Sequence, residues 1–157
     1  MSVEARLTEL GIELPQPMNT AALPFDLVRA DGDRLYLSGH VPTDLTGAMS
    51  KPFGKVGAQV SPEEAYTIAG RIALGLCASI KDHIGELDRV EKWLRVFGMV
   101  NAAPGFTQIP AVINGCSDML LNIFGADVGA HARSAVGMAE LPFNVPVEIE
   151  AEVKIRL

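Results

Sequence analysis

The sequence has little of what metal and thiol chemistry require. Its 157 residues include two cysteines and three histidines. Cys77 and Cys116 lie inside apolar helical patterns and form no Cys-x-x-Cys pair, and His40, His83 and His131 form no His-x-x-x-His pair. We therefore expect no metal site. The cysteine pattern favours two buried free thiols, as in a cytosolic protein, over a single disulfide.

Long apolar runs and a surplus of basic residues are also missing. No uninterrupted apolar stretch reaches membrane-spanning length, and the N-terminal MSVEARLTELGIELPQP is typical of neither a signal peptide nor a membrane anchor. The chain has 13 Lys and Arg against 19 Asp and Glu, a formal net charge of −6. An acidic chain makes poor contact with phosphate backbones unless a local basic groove overrides the net charge. We predict a cytoplasmic protein that binds neither membranes nor nucleic acid.

Motifs of nucleophilic catalysis and phosphate binding are absent as well. Ser38, His40 and the two cysteines have no Gly-x-Ser-x-Gly or comparable context, which favours packed thiols and strand-end polar groups. Gly70 and Gly75 fall inside a helical pattern, which predicts close packing rather than a phosphate cradle.

The chain is rich in apolar residues, at 48% of the total. A chain of 157 residues forms one domain with a real core, yet this fraction is high for a small domain with a polar surface. A soluble protein can reconcile the two by burying one face in an oligomer.

The first sixty residues predict short elements. Val3, Leu7 and Leu10 predict an amphipathic helix that ends at Gly11. Two short strands follow, Phe25–Ala30 and Arg34–Ser38, and the turn sequence Asp-Gly-Asp joins them. A third short strand is predicted at Val56–Val60.

Two helices and three strands follow. Ser61-Pro62-Glu63-Glu64 is a capping-box helix start, and apolar residues continue at helical spacing to residue 84. Residues 90–100 predict a central strand, and residues 109–124 predict a second helix that ends at a left-handed Gly125. The C-terminal ARSAVGMAELPFNVPVEIEAEVKIRL predicts two strands, the second alternating apolar and charged residues without a break. This order predicts an α+β fold, a mixed sheet with two helices on one face, whose other face meets water or a partner subunit.

Arg133 and Glu148 each allow two interpretations. Arg133 is either a surface arginine at a strand start or a planar fork for a carboxylate, and position alone leaves these near even. Glu148 is one rung of a polar strand face with Glu150 and Glu152, which favours a solvated role. If that face is covered, the like charges raise its carboxyl pKa and suit it to polarising water.

Three stretches resemble one family. SGHVP after a short strand, SPEEA at a helix start and above all ARSAVGMAELPFNVPVEIEAEVKI resemble the RidA/YjgF family, also called the L-PSP endoribonuclease family. The resemblance spans roughly residues 20–157 and is closest to a longer branch of the family. It leaves residues 1–19 as an N-terminal extension of the single domain 1–157.

The resemblance implies a fold and an activity. It implies a chorismate-mutase-like fold and a homotrimer with three clefts between subunits. Well-studied members are cofactor-independent deaminases, hydrolases of the 2-iminobutanoate/2-iminopropanoate type. They convert reactive 2-imino or 2-enamino acids to 2-keto acids and ammonia.

The resemblance also assigns residues. Arg133 matches the arginine that holds the substrate carboxylate, and Glu148 matches the glutamate that orients the attacking water. Ser38 and Gly39 match the pair lining the cleft, and Asn114 matches a cleft asparagine.

Two positions depart from the pattern. Phe25 stands where deaminating members have a tyrosine, and Ala135 stands where many have a cysteine. If the last two strands paired as a simple hairpin, Arg133 would lie opposite Lys154, so its pairing with Glu148 rests on the resemblance.

Three hypotheses stay open. The chain is an imine hydrolase, a non-catalytic trimeric binder of small carboxylate metabolites, or an endoribonuclease. The missing tyrosine hydroxyl favours the second, and the acidic composition disfavours the third.

Overall fold

The computed structural model describes residues 1–157 as a five-stranded mixed sheet with helices on one face. The strand order is β1-β2-β5-β3-β4, and every neighbouring pair is antiparallel except β3 and β4. The elements in chain order are α1 (Val3–Glu9), β1 (Val28–Asp31), β2 (Arg34–His40), α2 (Pro62–Ile84), β3 (Val90–Asn101), α3 (Ile109–Gly129), β4 (Ala132–Met138) and β5 (Val147–Ile155). The predicted α+β fold is confirmed.

The last strand, β5, lies at the centre of the sheet. Its alternation directs one set of side chains into the core, all of them 5% exposed or less: Val147, Ile149, Ala151, Val153 and Ile155. The charged residues between them lie on the opposite face, which no helix covers. The predicted central strand, β3, is an interior strand with a neighbour on each side, second from the edge of the sheet. It separates β4 from β5 and excludes the simple hairpin.

The predicted capping box begins α2. The Ser61 hydroxyl accepts a hydrogen bond from the Glu64 backbone N–H at 3.1 Å, and the Glu64 carboxylate accepts one from the Ser61 N–H at the same distance. Further along, Gly70 approaches α3, where an added Cβ would lie 3.3 Å from the Gly115 carbonyl oxygen. The predicted close packing therefore holds at Gly70, whereas Gly75 has room for a methyl group, its nearest neighbour being 3.9 Å away.

Helix α3 is long and apolar enough to cross a membrane by length and composition alone. It packs against α2 and β3, with these residues fully or almost fully buried: Val112, Ile113, Cys116, Leu120 and Ile123. This is the packing of a core helix. Gly125 has the predicted left-handed φ of 73° and a non-helical ψ of 171°, so it breaks the helix, and a separate short turn follows it and ends at Gly129. The predicted end of this helical segment at residue 124 is therefore confirmed, and the extra turn beyond the kink was not predicted.

Two other predicted strands differ in the structure. Residues 56–60 do not form a strand, because the positive φ of Gly57 (91°) turns the chain and leaves isolated bridges from Val56 to Val60 and Ala102. Strand β1 begins at Val28, so Phe25 precedes it.

The predicted N-terminal helix forms and is tied to the body of the protein. The Val3 backbone N–H donates to the Asp88 carboxylate at 2.8 Å, and Leu7 is 6% exposed within the core. The interpretation of residues 1–19 as an extension of a single domain stays a prediction.

Candidate functional site

Arg133 lies on the edge strand β4 and reaches towards the helices. Its register partner on β3 is Val96, which is fully buried in the core under the helices. The Arg133 Nη1 donates to the Asn114 Oδ1 at 2.8 Å and to the Ser117 Oγ at 3.1 Å, both on α3. The guanidinium is therefore fixed by two side chains three residues apart, which lie on one face of a helix.

Ala135 lies two residues further along β4, on the same face as Arg133. Its register partner is Gly98, where an added Cβ would lie 2.6 Å from Ile113 of α3. The Ala135 methyl group packs against the core. The structure therefore places this side chain partly buried on the helix side of the sheet.

Glu148 lies on β5 and projects from the uncovered face of the sheet. Its neighbours Val147 and Ile149 are fully buried on the helix side, so alternation places Glu148 opposite them. Its carboxylate accepts no hydrogen bond from the chain. Partial burial raises the pKa of the Glu148 carboxyl, and the charge of Glu150 on the same face raises it further. A raised pKa makes this carboxylate a better proton acceptor.

Gly39 makes room for that carboxylate. An added Cβ at Gly39 would lie 2.1 Å from the Glu148 Oε1, so a side chain there would displace Glu148. The close approach arises from a β-bulge, because Leu37 pairs with Ala151 and His40 pairs with Ile149. Three steps along β2 therefore match two along β5, and Ser38 and Gly39 occupy the bulge.

The bulge is held from both sides. The Ser38 hydroxyl donates to the Asp26 carbonyl oxygen at 2.7 Å. The His40 ring bonds the Ser38 carbonyl oxygen at 2.6 Å through Nδ1 and the Ser79 hydroxyl of α2 at 2.8 Å through Nε2. Burial lowers the pKa of His40 and favours its neutral form.

Phe25 precedes β1 and is 49% exposed, so its ring offers an apolar surface without being packed in the chain.

Five of the seven predicted residues fall into two groups that do not meet within one chain. We call Arg133 with Asn114 the carboxylate half-site, and Ser38, Gly39 and Glu148 the water half-site. Arg133 lies on the helix side of β4, and Glu148 lies on the other side of the sheet, two strands away. Strand spacing and rise separate their Cα atoms by roughly 14 Å.

The largest cavity lies away from both half-sites, whereas a small one of about 140 Å³ lies on the uncovered sheet face beside Glu150. The largest, about 650 Å³, lies between α1, the end of α2 and residues 12–17, and neither Arg133 nor Glu148 lines it. No group of three or more His, Cys, Asp or Glu side chains is arranged to hold a metal ion.

The candidate nucleophiles are not activated. Both thiols are free and buried, as predicted. Burial raises the pKa of Cys116 to about 12, despite the nearby charge of Arg133, and raises that of Cys77 still further. The Ser38 hydroxyl is bonded to a carbonyl oxygen rather than to a base. Covalent catalysis by these groups is therefore disfavoured.

Sequence reasoning missed two residues that adjoin the carboxylate half-site. Ser117 contacts Arg133 directly, and the His131 Nε2 lies 2.9 Å from the Ser117 Oγ. The signals were the spacing of three between Asn114 and Ser117 on a helix, and a histidine two residues before the arginine.

Comparisons with known proteins agree with this architecture. The family model described as YjgF/chorismate mutase-like, putative endoribonuclease, matches residues 4–150. The chain is similar to Protein TCP17 of Trypanosoma cruzi, 38% identical over 154 residues that cover 98% of this chain and 94% of that protein.

Two solved structures are similar over nearly the whole chain. The protein Atu1372 of Agrobacterium tumefaciens, described as of unknown function, is 35% identical with a TM-score of 0.88, covering 98% of this chain and 92% of that one. A putative endoribonuclease from Shewanella oneidensis is 28% identical with a TM-score of 0.90, covering 99% and 100%.

Proposed function

Because the chain belongs to the YjgF/chorismate mutase-like family, we propose that it hydrolyses reactive 2-imino and 2-enamino acids to 2-keto acids and ammonia. The observation that carries the proposal is the pair of half-sites. Arg133 is a fixed cation suited to a carboxylate, and Glu148 is an uncommitted carboxylate with a raised pKa, suited to a water molecule. Each end of a small imino acid thus has a matching group.

We further propose that the two half-sites meet between subunits of a homotrimer. Three features support this arrangement: β4 is an open edge strand, the sheet face bearing Glu148 is uncovered, and large apolar side chains are exposed there, with Tyr36 at 40% and Val136 at 36%. A head-to-tail contact repeated three times would give three equivalent clefts. Sedimentation equilibrium tests this directly, and a monomer across micromolar concentrations would contradict it.

The proposed reaction needs no covalent intermediate with the protein. Arg133 holds the substrate carboxylate while Glu148 accepts a proton from water, whose oxygen attacks C2 of the imine. The C=N electron pair moves to nitrogen, which takes up a proton from solvent, and a tetrahedral carbinolamine forms. The C–N bond then breaks, Glu148 returns its proton to the leaving nitrogen, and loss of the hydroxyl proton gives the 2-keto acid and ammonia.

A coupled assay tests the activity. An amino-acid oxidase generates 2-imino acids in situ, and ammonia release is followed with and without the protein. The proposal expects release faster than spontaneous hydrolysis, and equal rates would contradict it.

Phe25 favours a second candidate, a non-catalytic binder of small carboxylate metabolites. It contributes an exposed ring and no hydroxyl where deaminating relatives place a tyrosine. In this alternative Arg133 still binds 2-keto acids but no turnover occurs. Phe25→Tyr tests whether the cleft lacks only one polar group or binds a different ligand. Activity gained by that change would identify the missing hydroxyl as the cause of inactivity.

The ribonuclease activity in the family's description is disfavoured for this chain. The net charge is −6, and Glu148, Glu150 and Glu152 lie on the uncovered sheet face. Such a surface repels the RNA backbone.

A further inference from the structure

Behind Arg133 runs a chain of hydrogen bonds that the family resemblance does not assign. The Arg133 Nη1 is 3.1 Å from the Ser117 Oγ, which is 2.9 Å from the His131 Nε2. The His131 Nδ1 is in turn 2.7 Å from the Gly129 carbonyl oxygen. Arg133 is thereby linked to the last turn of α3 as well as to Asn114.

For the neutral His131 ring, the donors and acceptors fix the direction of these hydrogen bonds. The Gly129 carbonyl can only accept, so the His131 Nδ1 carries the proton of the neutral ring. The His131 Nε2 then accepts the Ser117 hydroxyl proton. The Ser117 oxygen consequently turns its lone pairs towards Arg133, which can only donate.

The assignment of donors and acceptors also identifies the edge of the guanidinium that is available to a ligand. Nη1 has two protons, and the Asn114 Oδ1 and the Ser117 Oγ each accept one of them. Nε and Nη2 have no acceptor within the chain. These two nitrogens form a planar edge with parallel N–H bonds that matches the two oxygens of a carboxylate.

We propose that Ser117 and His131 are positioning residues that orient Arg133 so that its Nε–Nη2 edge binds the carboxylate of small 2-keto and 2-imino acids. This inference rests on the proposed function of Arg133 as the carboxylate ligand. Asn114 alone would restrain Nη1 at one point, and the second bond from Ser117 fixes the rotation of the guanidinium plane. His131 acts through Ser117, because it determines which way the hydroxyl points.

Isothermal calorimetry with 2-oxobutanoate tests the role of Ser117. Ser117→Ala removes one net hydrogen bond and should weaken binding by about three- to tenfold, whereas Ser117→Thr keeps the hydroxyl and should restore most of the affinity. Tyr66→Phe is the matched control. It removes a side-chain bond of 2.7 Å to Asp118, the neighbour of Ser117, and should leave the affinity unchanged.

A double-mutant cycle tests whether His131 acts through Ser117. His131→Leu should weaken binding by about threefold when Ser117 is present and have no further effect in Ser117→Ala. Equal effects in both backgrounds would overturn the proposed connection.

A second measurement needs no ligand. Nitrogen NMR of the arginine side chains reports rotation of the Arg133 guanidinium, which should be slower in the wild type and Ser117→Thr than in Ser117→Ala. Equal rotation in all three folded proteins would overturn the positioning role.

The outcomes separate this inference from the proposed function. If Arg133→Lys weakens 2-oxobutanoate binding while folded Ser117→Ala and His131→Leu bind like the wild type, the positioning role fails and the carboxylate role stands. If Arg133→Lys also binds like the wild type, or if the wild type binds no 2-oxobutanoate at millimolar concentration, both fail.

Discussion

Arg133 and Glu148 stand on one sheet, but the chain holds them in different ways. Arg133 has two side-chain partners at 2.8 and 3.1 Å, and a histidine lies behind one of them. Glu148 has no hydrogen-bond partner and is confined only by the bulge at Gly39 and the charge of Glu150. The carboxylate half-site is therefore assembled within one chain, whereas the water half-site is left open.

The difference suits the two roles proposed for these residues. A carboxylate ligand is recognised by fixed geometry, so an arginine whose plane is held in advance loses less freedom on binding. A general base has to exchange a proton with water, so its oxygens must stay accessible. The predictions below test this division, from the largest expected effect to the smallest.

Replacing the water half-site base should affect rate and not binding. Glu148→Gln keeps the shape of the side chain but cannot accept the proton of water, so the imine-hydrolysis rate should fall by roughly two orders of magnitude or more. The affinity for 2-oxobutanoate should stay within about twofold of the wild type, because Arg133 provides that contact. A folded trimer of Glu148→Gln with a wild-type rate would remove Glu148 from the reaction.

Replacing the carboxylate-half-site cation should show the opposite pattern. Arg133→Lys keeps the charge but loses the planar fork, so calorimetry should show 2-oxobutanoate binding weakened by about ten- to a hundredfold, the worth of one charged hydrogen bond. The rate at saturating substrate should change much less. Unchanged affinity in a folded variant would exclude the carboxylate role.

Filling the space at Gly39 should disturb only the water half-site. Gly39→Ala puts a methyl group where the Glu148 Oε1 now lies, 2.1 Å from the added Cβ, and the displaced carboxylate should lower the rate by roughly three- to tenfold. Gly75→Ala is the matched control, since its added Cβ has no neighbour closer than 3.9 Å. Equal rates for the two alanine variants would contradict the close fit at Gly39.

The smallest effect concerns pH. Because burial and Glu150 raise the pKa of the Glu148 carboxyl, the rate should fall on acidification through that raised pKa as the base becomes protonated. Glu150→Gln removes the like charge, so the acidic limb of the rate profile should move to lower pH by a few tenths of a unit. A limb that stays in place, or moves to higher pH, would mean that Glu150 does not act on the titrating group.

The sequence predicted the helices and strands better than it predicted which strands lie side by side. Strict alternation from Val147 to Ile155 and the Ser61 capping box are local patterns, and both appear as expected. The position of β3 between β4 and β5 depends on contacts far apart in the chain, and periodicity carries no information on it. The predicted strand at Val56–Val60 was wrong because these two valines are fully buried core residues of a loop rather than of a strand.

The candidate site was likewise predicted only in part from the sequence. The resemblance named Arg133 and Glu148, and the structure shows a fixed environment for the first and a bulge beside the second. Ser117 and His131 were missed because a hydrogen-bonded chain across a helix end has no short sequence signature. The separation of the pair by two strands follows from the strand order, which no motif could reveal, whereas the face that each side chain occupies follows from alternation along its own strand.

Subunit complementation tests the central claim, that the half-sites of different subunits form one cleft. Arg133→Lys and Glu148→Gln subunits are co-refolded, and mixed trimers are confirmed by native mass spectrometry. A cleft that takes Arg133 from the Glu148→Gln subunit and Glu148 from the Arg133→Lys subunit is intact. At substrate concentrations well below KM, where both variants are slow, random mixing should therefore restore roughly a quarter of the wild-type rate in a head-to-tail ring. Mixed trimers no more active than either variant alone would contradict the shared cleft.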